Sequence, residues 1–366
     1  MRADEGIVIV RIEAVTPPQS ACADSSSQWE ERDGVGVATK DREMTPMKLK
    51  AAFVALAALL PLPTQAQDWP TGTVEVVVPY APGGAADVMG RVFMDAIGTK
   101  LGHSFIVKNT AGAGGLLAAR QVARAAPDGR TLIISGAASH LLAPLMSKDA
   151  NMDPVKEFTH IAYFGGAPSV LVVHPSTGIK TMKDFLDYIR AQKESVGYVS
   201  PGVGTGGHIT AAFLADKERI NLVHVPHKGG GTAILDVVAG HVKIASMNWS
   251  TAREHVVAGS LNAIAITSSK RIPDQPTLPT FAELGYTDLV MATWYGLSGP
   301  AGLPTDVVTK LNKAAIESLN EPRVKRQLEL EAAEPKALTP AQFTAFISDE
   351  LKRWSPTTTR LRDTAP

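Results

Sequence analysis

The stretch Thr73–Arg91, TVEVVVPYAPGGAADVMGR, constrains the fold more than any other part of the chain. Its β-branched apolar run, Val74–Val78, is typical of a buried strand, and Pro79 ends that strand because proline cannot donate to a sheet ladder. The turn Pro82–Gly84 then leads into a predicted helix that begins at Ala85. A strand that delivers glycines to a helix N-terminus combines free backbone N–H groups with the helix dipole, so this stretch predicts an anion-binding site.

The order strand, glycine-rich loop, helix recurs along the chain. A strand at Thr131–Ser135 and another at Ser195–Ser200 both lead into small residues and then toward a helix. Such a rhythm predicts a parallel α/β sheet, in which ligands bind beyond the carboxyl ends of the strands. Further strands are predicted separately at 158–164 and 169–173, and helices at the C-terminal end. Two α/β sets facing each other would enclose a cleft lined by these loops.

The N-terminal region has the order of a secretory signal peptide. Lys48 and Lys50 precede the apolar run 51–60, and small residues follow up to Ala66, where cleavage is expected. The apolar run is too short for a membrane-spanning helix. The signal peptide is placed at residues 44–66, and the preceding residues 1–43 are predicted to be either an extension from a mis-assigned gene start or a disordered extension. The single cysteine, Cys22, falls in that extension, so the mature chain is expected to have no disulfide and no thiol chemistry.

Composition excludes some classes of partner and leaves others open. Lys and Arg number 36, as do Asp and Glu, and 45% of the residues are hydrophobic. A chain with no basic excess is not expected to bind nucleic acid.

Several short patterns suggest chemistry, but each lacks a necessary partner. Gly202–Gly207 satisfies GxGxxG, yet the position where a dinucleotide site needs a carboxylate holds His224–Lys228. The histidines have no metal-site spacing, so no metal and no cofactor is predicted. Ser139 beside His140 lacks an evident acid, which favours ligand hydrogen bonding over catalysis. The GxSxG elbow and the Walker lysine motif are both absent.

Seven short motifs follow one another along Trp69–Trp354. They are Pro79–Asp87 (PYAPGGAAD), Asn109–Gly115 (NTAGAGG), Ala125–Leu132 (AAPDGRTL), Asp153–Phe158 (DPVKEF), Ser200–His208 (SPGVGTGGH), His224–Gly229 (HVPHKG) and Trp294–Gly302 (WYGLSGPAG). In these motifs and their order the chain resembles the Bug-type periplasmic solute receptors of tripartite tricarboxylate transporters. The family often has tyrosine at His227 and an acidic or amide residue around Asn248. Both positions bear on the choice of ligand.

The resemblance implies an α/β, two-domain type II periplasmic-binding-protein fold with the ligand cleft between the domains. Residues 67–166 and 292–366 are predicted to form the first domain, and residues 167–291 the second. The loops 80–87 and 200–208 are implied to hold a ligand carboxylate, largely through backbone N–H groups. The candidate ligand-binding residues are Tyr80, Ala81, Gly83, Gly84, Ala85, Asp87, Ala138, Ser139, Ser200, Gly204, Thr205, His208 and Asn248.

The implied function is capture of a small organic acid in the periplasm by a monomer that delivers it to membrane permease subunits. A receptor that signals to a membrane protein would have the same fold, and an α/β enzyme is the other alternative. Some residue roles also stay open. Thr205 fits helix capping as well as ligand contact, Asp87 fits the helix dipole as well as ligand contact, and Trp249 and Trp294 fit either the core or the cleft.

Overall fold

The computed structural model describes residues 69–147 and 149–364. The predicted signal peptide at 44–66, the extension at 1–43 and Cys22 lie outside these residues. Within them, no helix is both long and apolar enough to cross a membrane.

The strands alternate with helices for most of the chain. The strands are β1 (Val74–Val78), β2 (Phe105–Asn109), β3 (Thr131–Gly136), β4 (Phe158–Val173), β5 (Val196–Ser200), β6 (Leu222–Pro226), β7 (Ile244–Asn248), β8 (Asn262–Ile266) and β9 (Ala292–Pro300). The helices are α1 (Ala85–Leu101), α2 (Leu116–Ala123), α3 (Ala143–Met146), α4 (Met182–Arg190), α5 (Gly206–Glu218), α6 (Gly230–Val238), α7 (Trp249–Val257), α8 (Thr305–Ser318), α9 (Pro322–Leu330) and α10 (Pro340–Thr364).

The described strands join in the order β2-β1-β3-β9-β4-β7-β5-β6, with β8 also paired to β4. The outer strands are parallel, since β1 pairs with β2 and β3 in parallel and β5 does so with β6 and β7. The two central strands are antiparallel to their neighbours. The expectation of a parallel sheet is therefore wrong at the centre, where β4 and β9 carry the chain from one α/β set to the other.

Strand β4 is continuous, although the sequence predicts two strands separated by a break at Gly165–Pro168. It pairs with β9 from Phe158 to Pro168 and with β7 from Ser169 to Val173. Two register shifts against β9 accommodate the irregular stretch without ending the strand. The change of partner lies at the edge of the predicted second domain, but the domain boundaries stay a prediction.

Each α/β set packs its own hydrophobic core. On the β1 side, Phe93 of α1 stacks on Phe164 of β4 with ring centroids 4.0 Å apart, and both rings are fully buried. On the β7 side, Phe185 and Tyr198 lie in the core on one face of the sheet, and Trp249 lies in the core on the other. The cores fix the strands whose ends carry the glycine loops.

The turn after α9 fastens the C-terminal segment across the centre of the sheet. The N–H of Glu334 donates to the carbonyl of Gly166 at 3.2 Å, next to the point where β4 changes partners. In this turn, the Glu331 side chain is fully buried and accepts a hydrogen bond from Gln327 at 3.0 Å. Burial raises the pKa of Glu331 to about 7, and nearby Ser250 and Gln327 oppose part of that rise.

We expect Glu331→Gln to stabilise the protein increasingly as the pH rises. An acid whose pKa is raised in the folded state makes its full contribution to protein stability below its unfolded pKa of 4.5. That contribution is lost as the pH rises toward 7. Between these limits the loss is on the order of 3 kcal/mol, and glutamine avoids it because it carries no charge. Chemical denaturation at pH 4.5 and pH 8 measures the difference.

Glu334→Gln is the matched control because Glu334 is exposed, three residues further along the same turn. Its unfolding free energy should follow that of the wild type at both pH values. A constant gap between Glu331→Gln and the wild type across this pH range would contradict the prediction.

Candidate ligand-binding cleft

The loop between β1 and α1 is held by the side chain of Asp87. Its carboxylate accepts hydrogen bonds from the Gly83 N–H at 3.0 Å, from Arg91 Nε at 3.0 Å and from Asn109 Nδ2 at 2.9 Å. Burial alone would raise the pKa of Asp87, but these hydrogen bonds outweigh burial and lower it. Because Asp87 has three protein donors, its observed role is to shape the loop.

The same loop is tied to the next glycine loop by Tyr80 and Asn109. Asn109 Nδ2 donates to the Tyr80 carbonyl at 2.9 Å, and the Tyr80 hydroxyl donates to the Gly114 carbonyl at 3.0 Å. Helix α1 begins next to Gly84, whose position before the helix provides no side-chain cap. The N-terminus of α1 is therefore fixed in place without a side chain between it and the cleft.

The second predicted loop, between β5 and α5, is also held by its own side chains. Thr205 Oγ1 accepts from the His208 N–H at 3.3 Å and donates to the Gly202 carbonyl at 2.8 Å. The Gly204 N–H donates to His208 Nδ1 at 3.1 Å, and Gly204 has a φ of 74°, which favours glycine. Capping by Thr205, one of its two predicted roles, is confirmed.

Two histidines stack beneath this loop. The rings of His208 and His224 lie 4.1 Å apart at an angle of 24°, and His224 Nε2 is 2.7 Å from Ser200 Oγ. Burial lowers the pKa of His208 to about 4, and burial together with the neighbouring histidines lowers that of His224 to about 3. Both rings are therefore neutral at pH 7. Across the described ranges, no three His, Cys, Asp or Glu side chains group closely enough to hold a metal ion.

Ala138 and Ser139 are neighbours in the helical turn after β3, but only Ala138 lines the cleft. Ser139 is fully buried, and its Oγ lies 2.9 Å from Nδ1 of His140. The His140 ring packs against the Phe158 ring, with ring centroids 4.4 Å apart. Burial holds the pKa of His140 well below its usual value. Ser139 thus makes an internal contact with His140, whereas Ala138 lies at the cleft.

The loops of the two α/β sets meet and leave a cavity of about 20 Å³. The Ala81 N–H donates across the cleft to the Lys228 carbonyl at 2.8 Å. A Cβ on Gly84 would lie 3.4 Å from the Gly230 nitrogen, and one on Gly204 would lie 2.5 Å from the Ala143 nitrogen. A space of this size accepts about one water-sized group, so the structure shows a closed cleft.

Six predicted residues line this cavity and seven do not. The lining includes Tyr80, Gly84, Ala85, Ala138, Thr205 and Asn248. The predicted residues outside the lining are Ala81, Gly83, Asp87, Ser139, Ser200, Gly204 and His208.

Sequence reasoning missed six residues of the lining, which are Ala86, Pro201, Gly230, Thr251, Thr293 and Tyr295. Alternation along β9 was the signal for two of them. Trp294 is buried against Phe343, with ring centroids 5.5 Å apart. Because side chains alternate between the two faces of a strand, its neighbours Thr293 and Tyr295 point to the opposite face, toward the cleft. Trp249 and Trp294 both pack in buried hydrophobic clusters, and neither lines this cavity.

Four helix N-termini converge on the cavity. The lining residues Ala85, Thr205, Gly230 and Asn248 lie at the starts of α1, α5, α6 and α7. The Asn248 side chain makes no capping hydrogen bond to α7. None of the described residues that line the cavity is charged. Converging N–H groups and helix dipoles in a neutral cavity favour an anionic group.

The α/β sets, the crossing strands and the cleft between the loops define a periplasmic-binding-protein fold. Residues 89–362 match the family described as "Tripartite tricarboxylate transporter family receptor". The chain belongs to this family. It is 30% identical to Protein BugT of Bordetella pertussis over 304 residues, which covers 83% of this chain and 93% of BugT.

Two similar solved structures are those of proteins with an organic acid. MatC from Rhodopseudomonas palustris, with bound malate, is 30% identical with a TM-score of 0.76, covering 79% of this chain and 100% of MatC. Rpa4515 of the same organism, with adipate, is 29% identical with a TM-score of 0.76, covering 82% of this chain and 100% of that protein. These similarities agree with a binding protein of the predicted fold class.

We expect His224→Gln to reduce the acid sensitivity of the protein. A base whose pKa is lowered in the folded state makes its full contribution to protein stability above its unfolded pKa of 6.5. That contribution is lost as the pH falls toward the folded-state pKa. At pH 4 the loss that His224 contributes is on the order of 3 kcal/mol. The unfolding free energy of the variant should therefore fall by less than that of the wild type between pH 7 and pH 4.

His241→Gln is the control because this side chain is 74% exposed. Its pH profile should run parallel to that of the wild type. If the His224→Gln profile is also parallel, the stacked pair is not a source of acid sensitivity.

Proposed function

We propose that this protein is a periplasmic receptor that captures a small organic acid and delivers it to the membrane permease subunits of a tripartite transporter. The observation that carries the proposal is the convergence of four helix N-termini on a cavity with no charged lining residue. Membership of the receptor family and the malate and adipate of the two similar structures support it. The signal peptide expected to end at Ala66 supports export to the periplasm.

In this proposal, the carboxylate is held by backbone N–H groups, hydroxyls and helix dipoles. A helix N-terminus contributes about 0.3–2 kcal/mol toward a nearby anion, so several together can hold one carboxylate. No catalytic step is needed, and the protein acts as a monomeric binding protein and not as an enzyme. The histidines nearest to the loops, His208 and His224, are neutral and are already used in stacking and loop hydrogen bonds.

The closed cleft must open for ligand entry. The contact of Ala81 with Lys228 across the cleft is a single backbone hydrogen bond, which opening would break. We propose that the two α/β sets are the predicted domains and that they move about the crossing strands β4 and β9. Closure would then bring the four helix N-termini around the ligand.

The test is titration of the purified mature protein with a panel of mono- and dicarboxylates by calorimetry. We expect saturable binding of at least one acid, which is recovered chemically unchanged from the protein by mass spectrometry. Conversion of the acid, or the absence of binding across the panel in folded protein, would overturn the proposed function.

We predict that Gly84→Val and Gly204→Val each weaken binding of that acid at least tenfold. Gly204 combines a φ of 74° with a cross-cleft clash, and the branches of a valine at Gly84 would enter the narrow space beside Gly230. Lys228→Ala should bind normally because this exposed residue contributes its backbone carbonyl to the cleft. Calorimetry on folded variants measures all three.

Gly178→Val is the matched control for Gly204→Val. Gly178 has a φ of 71°, but a Cβ there has no neighbour within 4 Å. It shares the backbone strain without the cleft contact, so it should keep normal affinity. If Lys228→Ala abolishes binding while both cleft glycine variants bind normally, a lysine ion pair holds the ligand instead.

A further inference from the structure

Three neighbouring strands present hydrogen-bonding side chains on one face beneath the cavity. In the ladder of β4 and β7, Ser169 lies opposite Asn248. In the ladder of β4 and β9, Thr293 lies opposite Ala167. Ala167 is two residues before Ser169 on β4, so Thr293 and Ser169 lie on the same face. Register therefore gathers a hydroxyl, an amide and a second hydroxyl where the three strands run side by side.

These side chains are buried, and one polar atom of each has no hydrogen-bond partner in the described part of the chain. The atoms concerned are Thr293 Oγ1, Ser169 Oγ and Asn248 Nδ2. The residues are only 6%, 0% and 7% exposed, respectively. The Asn248 amide lies beside the Tyr295 hydroxyl, but without normal hydrogen-bond geometry. Leaving buried polar groups unpaired is costly, so such groups in a binding site indicate a polar partner.

The group lies directly against the start of α5. A Cβ on Gly206, the first residue of that helix, would come within 2.3 Å of Thr293 Oγ1 and 2.9 Å of Ser169 Oγ. Thr293 and Asn248 also line the cavity. In a cleft wider than this closed state, a ligand whose carboxylate faces the helix N-termini would place its adjacent carbons over these two side chains.

We infer that the ligand is a short acid that carries a neutral oxygen substituent, a hydroxyl or an oxo group, on the carbon next to the carboxylate or one further. Asn248 Nδ2 donates to this oxygen, Thr293 Oγ1 donates to it or accepts from its hydroxyl, and Ser169 supports Thr293 from the adjacent strand. The inference rests on the proposed function and narrows its class of ligand. Thr293 and Asn248 then determine the selectivity of the protein for substituted acids over plain acids.

The experiment compares acids that differ only in this oxygen. The probes are L-lactate, pyruvate and propionate, then 3-hydroxybutyrate and butyrate, then L-malate and succinate, each titrated into the wild-type protein by calorimetry. In at least one set, the oxygen-bearing acid should bind at least tenfold more tightly than the plain acid. Lactate against pyruvate separates a hydroxyl from an oxo group.

Thr293→Val keeps the shape of the side chain and removes its hydroxyl, so the preference for the oxygen-bearing acid over the plain acid should fall below threefold. Asn248→Leu removes the amide and should act in the same direction. Thr358→Val is the matched control, since this buried threonine on α10 donates to the Trp354 carbonyl. Its preference should equal that of the wild type, and unfolding curves establish that each variant is folded.

Two results would overturn the inference alone. Plain acids could bind the wild type as tightly as their substituted partners, as expected if water satisfies these side chains, or the preference could survive unchanged in both Thr293→Val and Asn248→Leu. If no acid of any set or of the wider carboxylate panel binds the folded wild type, the proposed function fails and the inference fails with it.

Discussion

The antiparallel pairing of β4 with β9 is the interaction on which the rest of the structure depends. β9 also pairs with β3, and β4 also pairs with β7 and β8, so both α/β sets reach the same two strands. This pairing brings the loops of the two sets to one cleft. It also sets the register that gathers Ser169, Asn248 and Thr293 on one face. The position of the cleft and the chemistry of its floor therefore have a common origin in backbone hydrogen bonds.

Around the cleft, side chains shape the loops and the backbone faces the ligand space. Asp87 and Thr205 bond to their own loops, and no side chain caps α1 or α6. Glycine permits this arrangement because the two walls approach within van der Waals distance, as at Gly84 and Gly230. An anion held in this way needs no buried lysine or arginine, whose desolvation would cost binding energy.

Local patterns in the sequence predicted what local forces determine. The run Val74–Val78, the turn after it and the start of α1 are all as expected, because strand propensity, proline and glycine act within a few residues. The continuity of β4 through Gly165–Pro168 was missed, since it depends on β9, far away in the chain. Distant pairing also places Thr293 in the lining. The roles of Asp87 and Asn248 required knowledge of which donors their side chains meet.

The late position of β9 has a consequence for the order in which the molecule assembles. β4 ends at Val173 and β9 begins at Ala292, and every strand on the β7 side lies before β9 in the chain. As the chain is synthesised, that contiguous side has all its pairing partners first, while β3 has only β1 and the first part of β4 still lacks β9. The half that contains the first strand is thus completed last, by residues from the opposite end of the chain. The cleft exists only after that final pairing forms.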